Sequence, residues 1–147
     1  MEFREATLEH ETECLDMMYE FCRMNNYHYR ETEKSRLFEE FIQNESLGKF
    51  WVITLTGKVI GYIILTFGYS FEYGGRDAFI DELFLKQEFR NRGLGKLILE
   101  SVEFYAIKHE VNAIHLEVEQ SNEAANKLYL KTGFSESDRS LLTKTLN

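Results

Sequence analysis

The spacing of apolar positions changes period twice along the chain. Leu15, Met18, Tyr19 and Cys22 recur at i, i+3, i+4 and i+7, as one apolar face of a helix does. Leu37, Phe38, Phe41 and Ile42 predict a second, shorter helix with Thr32 as its N-terminal cap. Residues 50–55 and 59–71 are rich in aromatic and β-branched side chains and flank Thr56-Gly57-Lys58. That pattern predicts the two strands of a hairpin. Tyr73-Gly74-Gly75-Arg76 reads as another turn, leading into a third long strand over 78–85. From Leu94 the helical period returns, with Leu94, Leu97, Ile98, Ser101, Val102 and Tyr105 in one stripe. A short strand over 113–118, a helix over 122–131 closed by Gly133, and a last strand over 141–146 complete the prediction. No repeats, low-complexity tracts or linkers interrupt it. The expected architecture is one α/β domain over 1–147, with an antiparallel meander first and a strand–helix–strand–helix unit second.

Composition narrows the function classes. The 147 residues are about one domain's worth, and 44% hydrophobic with 14% aromatic is enough to close a core, which excludes wholesale disorder. A formal net charge of −8 argues against non-specific nucleic-acid binding, which needs clustered Lys and Arg. No apolar run approaches the roughly 18 residues of a membrane span, and Met1-Glu2-Phe3-Arg4 lacks the layout of a secretory signal. Cys14 and Cys22 on one helix lie about 12 Å apart, beyond disulfide reach. A reduced cytoplasmic protein with no nucleic-acid or membrane partner is the expectation.

The charge is uneven. Residues 1–47 carry 12 acidic against 5 basic side chains, whereas 48–147 carry 13 against 12. Within the second part Lys86, Arg90, Arg92 and Lys96 crowd together, opposed only by Glu88. One local basic site in an acidic molecule suits an anionic small molecule better than a polyanion.

That site centres on Arg90-Asn91-Arg92-Gly93-Leu94-Gly95-Lys96, between a strong strand and a strong helix. A glycine-containing turn feeding a helix N-terminus presents unpaired N–H groups at the positive end of the helix dipole. Gly93 and Gly95 leave room for a phosphate to come close. The pattern points to a phosphate or pyrophosphate; an ordinary loop with solvated basic residues is the competing reading. A P-loop does not fit, because positions 90 and 97 are Arg and Leu. A dinucleotide fingerprint lacks its third glycine at Ile98, although Glu117 stands about twenty positions on.

The run 90–95 resembles the Gln/Arg-x-x-Gly-x-Gly/Ala signature of the GCN5-related N-acetyltransferase (GNAT) superfamily. The strand before it, Phe79-Ile80-Asp81-Glu82-Leu83-Phe84-Leu85, is similar to that family's fourth strand. Asn122-Glu123-Ala124-Ala125-Asn126-Lys127-Leu128-Tyr129-Leu130-Lys131-Thr132-Gly133-Phe134 is similar to its second motif. The resemblance is specific over about 78–134. It implies a central mixed, mostly antiparallel sheet of about six to seven strands with helices on both faces. It also implies acetyl-CoA as co-substrate, no metal, and a homodimer. Arg90 through Lys96 and Asn122 would bind the carrier, the 92–96 amides holding its pyrophosphate. The pantetheine would pair with backbone near Leu83, Phe84 and Leu85. The spacing of Ile80, Leu83 and Leu85 breaks strict alternation as a β-bulge would, and a bulge splays neighbouring strands.

Acetyl transfer to an amine requires a base for the amine proton and an acid for the leaving thiolate. An alkylamine of pKa near 10 is only about 0.1% neutral at pH 7. Tyr129, at a position where many members of the family use a tyrosine, is the expected acid. Glu82 is the expected base, directly or through water, with Asp81 as fallback, since adjacent strand residues face opposite ways. A mid-strand carboxylate in apolar surroundings needs a partner or water. His10, His28, His109 and His115 show no metal-ligand spacing, and no nucleophile motif suggests an acetyl-enzyme, so transfer within a ternary complex is expected. The acidic excess of 1–47, with Asp81 and Glu82, favours a cationic small amine or a lysine side chain as acceptor; a solvated acidic face explains the same charges. Tyr27 and Tyr29 either wall the acceptor cleft or pack under the second helix. A catalytically idle acyl-CoA-binding module of the same fold is the alternative.

Overall fold

β1 (Glu2–Glu5) opens a five-stranded sheet in the computed structural model, which describes residues 1–146. β2 (Gly48–Leu55), β3 (Lys58–Ser70) and β4 (Gly75–Leu85) follow as an antiparallel meander, and β5 (Ala113–Leu116) joins β4 in parallel, giving the order β1-β2-β3-β4-β5. Two-residue Thr56-Gly57 links β2 to β3 as the hairpin pattern predicts. The chain divides into two units, residues 1–117 with the whole sheet and a second unit from Val118 onward.

Helices cover both faces of the sheet in the first unit. α1 (Glu11–Met24) and α2 (Glu31–Ile42) pack Cys14, Met17, Met18 and Phe38 onto Phe50, Val52, Tyr62, Ile64 and Phe84. α3 (Leu94–Lys108) buries Ile98, Leu99, Val102 and Ala106, and its Tyr105 meets Trp51 edge-on at 4.8 Å, so it takes the opposite face. Alternation along β2 and β3 sends Trp51, Ile63 and Leu65 to the α3 side and Phe50, Tyr62 and Ile64 to the α1–α2 side. In the second unit α4 (Glu123–Lys131) is followed by chain without regular structure through residue 146.

Several expectations are corrected. The sheet has five described strands, not six to seven, and residues 141–146 form none. Leu141 and Leu142 are consecutive and would point to opposite faces, so the segment has no single apolar side to bury, and Leu142 is 90% exposed. β1, too short and polar to announce itself, pairs Phe3 with Ile53 instead. β5 stops two residues early, at Leu116, and β4 begins at Gly75, within the expected turn. Thr32 is no cap: α2 starts at Glu31 after the extended Arg30, and Glu31 and Glu33 complement the helix dipole. α1 is rotated from the predicted stripe, so Tyr19 is half exposed and Met17 buried.

Candidate active site

The predicted bulge falls in the middle of β4. Leu65 pairs with Ile80 and Ile64 with Glu82, which leaves Asp81 as the extra residue. Because of it, Ile80 shares the α3 side with Leu65 whereas Glu82 shares the α1–α2 side with Ile64. The pairing of β5 to β4 ends at the same place, Ile80 with Leu116. Beyond the bulge, residues 82–85 have β3 on one side and, among the described residues, no strand on the other. Lys86 donates its N–H to Ile60 at 2.9 Å, which sets the alternation of the antiparallel ladder. Tyr62–Phe84 and Ile64–Glu82 are then the hydrogen-bonded pairs, and the peptide groups of Leu83 and Leu85 turn to the unpaired side. Phe84 is a core residue, its ring stacked on Tyr62 at 5.8 Å.

Following β4, a 3₁₀ turn (Gln87–Phe89) leads into the basic loop. Asn91 and Gly93 adopt positive φ, 58° and 75°, and Gly93 is the N-cap of α3. No side chain caps this helix, and its first turn carries no acidic residue, unlike the first turns of α1, α2 and α4. The amides of Leu94, Gly95 and Lys96 have no intrahelical acceptor and point out of the helix end. A Cβ built on Gly93 meets nothing within 4 Å, so the turn opens onto free space. The four basic side chains divide in two. Arg90 donates Nε to the Leu85 carbonyl at 2.7 Å and lies over the Phe84 ring, and Lys86 bonds Glu13 and the Val59 carbonyl, both at 2.8 Å. Arg92, over the Phe89 ring, and Lys96, paired with Glu100 at 3.3 Å, stay exposed beside the turn.

Glu82 is enclosed by partners that its sequence context does not reveal. Tyr62 donates its hydroxyl to Oε2 at 2.6 Å, and Lys34 of α2 donates Nζ to Oε1 at 3.3 Å. Burial and the neighbouring carboxylate hold the Tyr62 phenol well above its usual range, so it stays a donor. Cys22 lies within electrostatic range of both Lys34 and Glu82, and burial pushes its thiol up. Asp81 is exposed. Lys34 is forty-eight positions from Glu82, in the segment dominated by acidic residues, and no local pattern links the two.

Of the expected acceptor residues, Tyr29 packs. Its hydroxyl donates to the Leu15 carbonyl at 3.3 Å and its ring meets Tyr19 edge-on at 5.3 Å. Tyr27 is exposed beside Phe21. In the second unit Asn122 is the N-cap of α4, its side chain accepting from the Ala125 N–H at 3.2 Å, rather than the first helical residue. Tyr129, on that helix, is half-buried, and burial raises its phenol above the usual value. His115 is tied to Asp77 at 3.2 Å and its ring lies tilted against that of Tyr73 at 4.9 Å, a structural role in β5. Among the described residues no group of three or more His, Cys, Asp or Glu side chains is placed to hold a metal ion.

A strand opened by a bulge, followed by an uncapped helix N-terminus behind a basic turn, is an arrangement suited to an extended anionic ligand. The comparisons specify it: the acetyltransferase (GNAT) family model matches residues 14–134, and the chain belongs to that family. It is 24% identical over 137 residues to an uncharacterized N-acetyltransferase of Methanocaldococcus jannaschii, covering 92% of this chain and 61% of that protein. A thialysine N-epsilon-acetyltransferase of Bos taurus is 31% identical over 75 residues, 51% of this chain and 44% of that one. The chain thus spans about half the length of the curated relatives it matches. The solved structure of a predicted acetyltransferase from Clostridium acetobutylicum with acetyl-CoA superimposes with a TM-score of 0.80 at 17% identity, covering 97% of this chain and 95% of that one. No helix among the described residues is long and apolar enough to cross a membrane.

Proposed function

We propose that residues 1–147 form one acetyl-CoA-dependent N-acetyltransferase domain that moves an acetyl group to a primary amine by direct attack in a ternary complex. The observation that carries this reading is the continuity of the segment from Leu83 to Lys96. Free peptide groups at Leu83 and an uncapped, acid-free helix start at Gly93 lie on one stretch of chain, one suited to an amide-bearing arm and the other to its diphosphate. When bound, acetyl-CoA supplies an activated acetyl group on a thioester.

The chain's own residues divide the remaining work. Leu83 offers N–H and C=O groups to the arm, and Arg90, by occupying the Leu85 carbonyl, fixes where the open edge of β4 ends. The amides of Gly93 to Lys96, with Arg92 and Lys96, hold the phosphates. Glu82 accepts the amine proton, directly or through one water, at a carboxylate oriented by Tyr62. Tyr129 holds a proton at its phenol oxygen for the departing sulfur, a task that a raised pKa favours. The family-model match, which runs unbroken from the first unit into the second, supports treating Tyr129 and Asn122 as parts of the same machinery. The acidic surplus of residues 1–47 favours a cationic acceptor, a small amine or a lysine side chain.

One observation favours a second reading. Both oxygens of Glu82 are already engaged, as they would be in an idle acyl-CoA-binding module. Following thiol release from acetyl-CoA across a panel of amines separates the two. Amine-dependent release supports the enzyme; CoA binding without release in any amine supports the module.

A further inference from the structure

The two partners of Glu82 are not equivalent. Tyr62 is fully buried in a strand core, packed between the rings of Phe50 and Phe84, and cannot leave without dismantling that face. Lys34 sits in the first turns of α2 at the end of a long flexible side chain that is 23% exposed, against 12% for Glu82. Its contact is a single 3.3 Å bond to one carboxylate oxygen, with no second acceptor for the ammonium among the described residues. The other titratable neighbour, Cys22, is kept uncharged by burial. Glu82 therefore has one permanent donor, on Oε2, and one exchangeable donor, on Oε1.

The exchangeable donor is a primary alkylammonium ion, chemically the same group as a protonated amine acceptor. We propose that Lys34 is a specificity-determining residue whose tethered ammonium rests on Glu82 in the position the acceptor's ammonium must take. The inference depends on Glu82 being the base of the acetyltransferase reading. Lys34 neutralises the carboxylate while the site waits. An acceptor has to displace that ammonium, so only amines that arrive as cations and place a primary ammonium on Oε1 compete. On displacement Lys34 swings toward the solvent side of α2, and the acceptor's N–H is left against the oxygen that takes its proton. The arrangement sets acceptor affinity and leaves the binding of the acetyl carrier alone, because Lys34 and Glu82 meet on the α1–α2 face of the sheet whereas that carrier meets the open backbone edge of β4.

The test measures kcat and KM for n-butylamine, 1,5-diaminopentane, lysine and a lysine-containing peptide, together with the Kd for acetyl-CoA, in the unmodified protein, Lys34→Gln and Lys34→Arg. The expected result is a KM for the preferred amine lowered about fivefold in Lys34→Gln, the change that a partly exposed ion pair corresponds to. The same variant is expected to leave kcat and the acetyl-CoA Kd unchanged, and Lys34→Arg to keep KM at or above its original value. Lys34→Met repeats the measurement if Lys34→Gln does not fold. An unchanged or raised KM in the neutral variants, with the unmodified protein active, overturns this inference and leaves the acetyltransferase reading standing. No turnover of any of the four amines by the unmodified protein overturns both.

Discussion

The ring of Phe134 stands edge-on to that of Tyr129, with centroids 5.7 Å apart, while the Phe134 N–H donates to the Tyr129 carbonyl at 3.1 Å. With the Gly133 N–H donating to Leu130 at 3.3 Å and Gly133 at φ +94°, this is a Schellman close, complete with its apolar contact. The device that ends α4 therefore also braces the phenol proposed as the acid. Tyr129→Phe keeps the ring and its contact and removes only the hydroxyl. Turnover is expected to fall about 100-fold, within the range for a lost general acid, with acetyl-CoA Kd unchanged by calorimetry. A kcat equal to that of the unmodified protein would rule out the assignment.

Gly93→Ala tests the turn before α3. The added methyl has open space but must hold φ near +75°, which costs about 1 kcal/mol. A melting temperature lower by a few degrees is expected, together with a several-fold weaker Kd for acetyl-CoA and for free CoA. A thermal shift without loss of CoA affinity would make this glycine purely conformational.

Glu82→Gln preserves the size of the side chain and its bond from Tyr62 while removing the proton acceptor. We expect kcat to fall on the order of 100-fold with an acetyl-CoA Kd within about twofold of the original. Single-turnover measurements should place the loss in the acetyl-transfer step. Full activity in this variant would transfer the base role to Asp81 or to water.

Alkaline stability should report on Cys14. Burial, reinforced by Glu13, pushes its thiol from an ordinary 9.0 up to about 12. The folded state thus holds its proton after the unfolded chain has released it, so the contribution is complete below about pH 9 and is lost as pH rises toward 12. The slope from this group is at most about 1.4 kcal/mol per pH unit. Cys14→Ala is expected to flatten the fall in melting temperature between pH 9 and 11, at the expense of some stability at pH 7. An identical slope in the variant would mean that other groups set it.

What the sequence disclosed and what it hid follow from the range of the interactions. The hairpin turn, the helix after Leu94 and the glycine close of α4 rest on contacts within a few residues, and the bulge shows as a local break in alternation; each is where the pattern predicts. The strand at Glu2–Glu5 escaped because one apolar residue in four shows no period, and its pairing with β2 spans some fifty positions. The 141–146 segment misled because β-propensity without an alternating face is not enough. The sequence left Tyr29 open between walling the cleft and packing, and its hydrogen bond to the Leu15 carbonyl of α1 is a tertiary contact that no local pattern displays. The environment of Glu82 could not be read at all: Lys34 and Tyr62 reach it from another helix and another strand, and only the tertiary structure makes them neighbours.

Asp81 makes positions 80 and 82 look to opposite layers, a parity inversion forbidden in an unbroken strand. Removing that single codon would restore the count without turning any side chain around: Ile80 would keep its place beneath α3, and Glu82 would still reach Tyr62. The hydrogen-bond edge now left bare could then be zipped shut by β5, giving a protein with its interior intact and nowhere for a ligand to lie.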